Sequence, residues 1–160
     1  MTAMKNGNMK EPLETAIFAG GCFWHMEDAF QKLDGVSHVY AGYTGGVMEN
    51  PTYEQVVSYM SDHIEAVEVH YNPNAITYHE LLNNFWKNSD LRESAIFYTS
   101  NEQRELAQKS LNEMAKQSIK PVVTKIAAAS TFYMAEEEHQ NYYKKNGLAA
   151  CLNKVWGLRK

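Results

Sequence analysis

The sequence has little that would staple, anchor or charge it in one direction. It holds only two cysteines, Cys22 and Cys151, far apart in a chain of 160 residues. A thiol pair this sparse argues against a structural disulfide framework and leaves two options, a reactive pair or inert buried thiols. Four prolines and nine glycines are too few, and too scattered, for a low-complexity run or an internal linker. No apolar run approaches the length of a membrane span, and the opening MTAMKNGNMK lacks the apolar core of a secretory signal. The expected setting is cytoplasmic. Fifteen basic side chains against 19 acidic ones give a net charge of −4 with no basic block, so neither nucleic acid nor a membrane surface is an expected partner. What remains is a single domain over 1–160, long enough to bury roughly 70% of the surface its unfolded form exposes.

Residues 1–13 are polar and aperiodic, and a loose N-terminal arm is expected there. TAIF (15–18) is a short β-prone run, and the AGG that follows permits a tight turn into a helix starting about Cys22, whose Phe23, Met26, Ala29, Phe30 and Leu33 recur at helical spacing. VSHVYAGY (36–43) and IEAVEVHY (64–71) read as strands. In the second, Glu65, Val67, Val69 and Tyr71 share one face, and Glu68 and His70 the other. Thr52 with Gln55, and Thr77 with Glu80, are capping-box patterns that open helices. SAIFYTS (94–100) predicts a strand and Ser100 a helix to about Gln117, which Pro121 bars from continuing. PVVTKIAAA predicts another strand, AEEEHQNYYKK (135–145) a last helix ended by Gly147, and the segment from Leu148 a flexible tail that carries Cys151. Strands and helices interleaved in this order predict helices layered on one mixed sheet, an α+β or α/β two-layer domain.

The chemistry concentrates at FAGGCFWHMED (18–28). A cysteine at the first turn of a helix meets unpaired backbone N–H groups and the positive end of the helix dipole, both of which favour thiolate. The competing reading is a buried core cysteine. Trp24 falls off the apolar stripe and is suited either to packing or to walling a pocket for a small apolar group. Glu65 points the same way as the apolar residues of its strand; burial there would keep its carboxyl protonated, a proton donor at neutral pH, whereas a frayed strand end would leave it wet. Cys22 and His25 have half the spacing of a zinc site, and nothing in the sequence completes it. A thiol and imidazole pair between Cys22 and His139, suited to acyl transfer, is a further alternative.

AGGCFW, GYTGG followed by NPTYE, and HIEAVEVHYNP, then LLNNFW, AIFY, KPVVT and FYMAEEEHQNYY, resemble the A-type peptide methionine sulfoxide reductases from residue 15 to about 151. The resemblance implies a ferredoxin-like α/β two-layer sandwich with a mixed sheet. It implies Cys22 as catalytic cysteine, Phe23 and Trp24 as the residues holding the substrate methyl, Tyr53 as a hydrogen-bond partner of the sulfoxide oxygen, and Glu65 as proton donor. Cys151 takes the place of the resolving cysteine, which gives a Cys22–Cys151 disulfide that thioredoxin or another dithiol reduces. Selectivity for the S epimer, no bound cofactor and no metal go with it. Between Trp86 and Ser94 the family carries a longer loop with an HDPT motif and a QYRS-type segment, where this chain has only KNSDLRE, with Asp90 and with Arg92 in the place of a tyrosine. His25 and Asp62 stand where family members have glycine. The shortened loop leaves a second reading, a relative that binds oxidised-methionine peptides with weak turnover or none.

Overall fold

Local capping chemistry sets several of the element starts. In the computed structural model, which describes residues 12–91 and 93–147, Thr52 accepts a hydrogen bond from Gln55 N while the Gln55 side chain accepts from Thr52 N, and Thr77 and Glu80 do the same. Ser100 accepts from Gln103 N. Each cap satisfies backbone donors that a helix start leaves without partners. The elements run β1 (Glu14–Ala19), α1 (Phe23–Gln31), β2 (Val36–Thr44), α2 (Tyr53–Val57), β3 (Ile64–Tyr71), α3 (Tyr78–Asn88), β4 (Ser94–Tyr98), α4 (Asn101–Gln117), β5 (Thr124–Ala128), β6 (Tyr133–Met134), a 3-10 turn (Glu137–His139) and α5 (Tyr142–Asn146).

The strands form one six-stranded sheet in the order β5-β4-β1-β3-β2-β6. Its centre, β4-β1-β3-β2, is antiparallel at every pairing and is threaded by α1 and α3, the split β-α-β arrangement of ferredoxin-like folds. β5 adds in parallel to β4, and β6 closes the other edge, so the sheet is mixed, as expected. Period-two alternation divides β1 between two cores. Ala16 and Phe18 face the helices, where Phe18 stacks on Phe30 and Phe85 at centroid distances of 5.0 and 5.3 Å. Ile17 and Ala19 face the other way and join Ala66, Ala95 and Phe97 beneath Phe132. Among the described residues no helix is long and apolar enough to cross a membrane.

The predicted last helix over 135–145 does not form as one piece. Gln140 is extended (ψ 134°) and Asn141 left-handed (φ 55°, ψ 40°), so a 3-10 turn and a short α5 replace it. Tertiary hydrogen bonds outweigh helix propensity here. The Gln140 side chain accepts from Ala41 N and donates to the carbonyls of Ala41 and Ala135, tying the segment to β2. Asn141 N donates to the buried Glu27 at 2.8 Å, and Gln31 Nε2 donates to Asn141 Oδ1 at 2.7 Å. Burial pushes the Glu27 carboxyl up, against the lowering effect of its backbone bonds. The tail with Cys151 lies outside the described residues, as does the expected N-terminal arm apart from residues 12 and 13.

Candidate active site

The turn between β1 and α1 brings the first piece. Gly21 has φ +102°, which an L side chain rarely adopts, and a Cβ on Gly20 would lie 2.7 Å from Met26 Cε and 2.8 Å from Ser89 Cβ. The pair therefore allows the chain to reverse while packed against α1 and the end of α3. Cys22 is then the N-cap, half-buried, and its carbonyl accepts the first helical bond from Met26 N at 3.2 Å. Phe23 N, the first amide of the helix, donates to Glu65 Oε1 at 3.1 Å. This bond joins sheet and helix at the sulfur: Glu65, half-buried on the helix-facing side of β3, lies at the same helical turn as Cys22.

Aromatic rings form the wall. Phe23 and Trp24 are buried, at 1% and 6% exposure, and Tyr53, the first residue of α2, is half-buried between them and His139. Tyr53 stacks on His139 at 4.2 Å, and its centroid lies 6.1 Å from Phe23 and 6.4 Å from Trp24. Trp24 stacks on Tyr142 at 3.6 Å with the planes 3° apart. Its indole N–H donates to His139 Nδ1 at 3.2 Å. The structure thus brings Cys22, Phe23, Trp24, Tyr53 and Glu65 together, while Cys151 lies outside the described residues. His139 also reaches this wall, and its Nδ1 accepts from Trp24.

Glu136 is a residue the sequence reading passed over. Its Oε1 accepts from the Tyr43 hydroxyl at 2.6 Å and its Oε2 from Tyr53 N at 3.0 Å, so one carboxylate joins β2 to the start of α2. Tyr43, fully buried, has Glu65 as its cross-strand partner. Burial raises the Tyr43 hydroxyl well above its ordinary range, and the bond to Glu136 raises it further. For Glu136 burial acts upward, but the Tyr43 and Tyr53 bonds together hold its carboxyl below the ordinary value of 4.5. Three acidic residues in a row look like a solvated face; Glu137 and Glu138 are one, and only a register that a broken helix sets turns Glu136 inward.

A pH dependence follows. Because its folded value is lowered, the support Glu136 gives the fold is present above about pH 4.5 and is lost as pH falls through that lowered value. Urea midpoints followed from about pH 7 to about pH 3 are expected to drop more steeply for the natural chain than for Glu136→Gln. Parallel curves would remove Glu136 as an ionised anchor.

The segment between α3 and β4 folds back onto the glycine turn. Asp90 N donates to Gly20 O at 3.0 Å, and Asp90 Cβ lies 3.6 Å from where a Cβ on Gly21 would be. Asp90 therefore sits beside the residues that precede the sulfur. Among the described residues no group of three or more His, Cys, Asp or Glu is placed to hold a metal ion.

A model of the family described as "Peptide methionine sulfoxide reductase" matches residues 14–157. The chain belongs to the peptide methionine sulfoxide reductase family. It is 43% identical over 159 residues to the peptide methionine sulfoxide reductase MsrA of Ligilactobacillus salivarius, covering 90% of this chain and 92% of that one. Among solved structures it is similar to Mxr1 of Saccharomyces cerevisiae in reduced form, with a TM-score of 0.77 and 26% identity over 89% of this chain and 92% of that one. The crystal structure of Mxr1 in complex with Trx2 shares the fold, at a TM-score of 0.60 and 23% identity, over 85% and 91% of the two chains.

Proposed function

We propose that this methionine sulfoxide reductase acts on the S epimer of methionine sulfoxide, free or in proteins, through a sulfenic acid on Cys22. The observation that carries the reading is the Phe23 N to Glu65 bond, which puts a carboxyl at the helical turn that Cys22 begins. The Cys22 thiolate attacks the sulfoxide sulfur while Glu65 passes a proton to the oxygen; the hydroxyl then moves to the Cys22 sulfur as the bond between the two sulfurs breaks, so that methionine leaves with the electron pair and Cys22 is left as S–OH. Tyr53 bonds the sulfoxide oxygen, while Phe23 and Trp24 hold the methyl group against their rings. Cys151 then condenses with the sulfenic acid, forming the disulfide and releasing water. Thioredoxin, or another dithiol, reduces that disulfide by exchange.

Epimer-resolved sulfoxide and intact-mass measurement test the scheme together. With excess dithiol, methionine is expected from the S epimer and not from the R epimer. Without reductant, one equivalent of methionine per chain is expected, and the protein loses the mass of two hydrogens. Cys151→Ser is expected to release the same single equivalent but to gain one oxygen instead. Binding without any methionine formation would overturn the enzymatic reading, and a gain of one oxygen by the natural chain with Cys151 still alkylatable would remove its resolving role.

A further inference from the structure

Stacking fixes a ring's plane and leaves its direction within that plane open. Trp24 lies flat on Tyr142, 3.6 Å between centroids and 3° between planes. Rotating the indole by about half a turn about χ2 keeps that stack but swaps which edge of the ring faces the site. The bond that distinguishes the two orientations is the one from the indole N–H to His139 Nδ1, at 3.2 Å. An indole N–H can only donate, so Nδ1 must accept, and a neutral His139 carries its proton on Nε2.

His139 is itself held firmly enough to act as a reference point. It is 5% exposed, its ring lies 18° from the plane of Trp24, and Tyr53 covers it at 4.2 Å. Phe23 reaches it from the side at 5.7 Å. Trp24 and His139 therefore make one nearly flat, edge-bonded sheet of rings, with Tyr53 packed on the histidine and Tyr142 on the tryptophan.

We propose that His139 is a positioning residue that sets substrate specificity: by accepting from the Trp24 indole it fixes which ring edge faces the substrate, so that the pocket fits a methyl group and refuses a larger one. This rests on the reading that Phe23 and Trp24 hold the methyl. One extra methylene in a shaped apolar pocket changes kcat/KM by about 10–200-fold, so the ratio between a methyl and an ethyl sulfoxide carrying the same aryl group reports the shape of the wall.

The test compares that ratio in the natural chain and in four variants. His139→Asn puts an amide oxygen where Nδ1 stands and is expected to keep the ratio within about threefold. His139→Leu removes the acceptor, and His139→Gln carries its polar atoms out to the Nε2 position. Both are expected to compress the ratio by about tenfold, mostly through faster turnover of the ethyl substrate relative to the methyl. Should the leucine variant not fold, the asparagine and glutamine pair still decides. Equal ratios for asparagine and glutamine would overturn the role of His139. Trp24→Ala separates the two layers of the argument: a collapsed ratio there, with an intact one in His139→Leu, overturns the histidine's role alone, whereas an intact ratio in Trp24→Ala overturns the methyl-pocket reading and this proposal with it.

Discussion

Cys22→Ser is expected to lower methionine formation by about 10⁴-fold or more, to the level of the uncatalysed background. The reason lies in what the transferred oxygen must bond to. Sulfur at position 22 takes up the sulfoxide oxygen as S–OH; a serine oxygen in the same place would have to form an O–O bond, which offers no comparable product. The substitution leaves the surroundings intact. Residue 22 caps α1 through its backbone carbonyl, with no side-chain bond to the helix start, so the helix keeps its first turn. Glu65 bonds Phe23 N, and the rings of Phe23, Trp24, Tyr53 and His139 pack on each other. Binding of a sulfoxide peptide is therefore expected to stay within about threefold while turnover disappears, a pattern in which a contact made only in the reaction has been lost. Methionine release by Cys22→Ser at a tenth of the natural rate would remove Cys22 as the nucleophile.

The sulfur, the acid and the rings were legible for different reasons. The strand around Glu65 alternates so regularly that period two assigns its face, and Val67, Val69 and Tyr71 are indeed buried on the side from which Glu65 reaches α1. The Gly-Gly turn before Cys22 and the paired capping residues act within a few positions, which is the range over which sequence speaks plainly. Long-range polar bonds are another matter. Helix α4 carries Leu106, Leu111 and Met114 as its large apolar residues, yet its buried positions are Gln103, Ala107 and Ser110. Gln103 reaches Thr99 N and Thr15 O, and Ser110 accepts from the Trp86 indole at 2.5 Å, so the polar groups are satisfied and the three leucine and methionine side chains pack only partly. The AEEEHQ segment fails as a helix for the same cause, since Gln140 and Asn141 find partners on β2 and α1 that no local pattern announces. Glu136 and the inward side of His139 are consequences of that break, and both enter the site only once it is made.

Glu65→Gln separates the two things the carboxyl does. As an acceptor it takes the Phe23 amide at 3.1 Å, and a glutamine Oε1 can take the same bond, so α1 keeps its start and the site its shape. As an acid it would deliver the proton that lets the sulfoxide oxygen leave sulfur, and an amide cannot. Losing a positioned general acid costs about 10²–10⁴ in rate. Single-turnover methionine formation is therefore expected to slow by that factor in Glu65→Gln. Reduction of the preformed disulfide by dithiol should proceed at the natural rate, because exchange between sulfurs passes no proton through residue 65. The contrast matters, since a variant that merely distorted the turn at Cys22 would slow both steps. Glu65→Gln forming methionine within about threefold of the natural rate would leave the Phe23 bond as the whole purpose of the side chain, and the proton would have to come from water or from Tyr53.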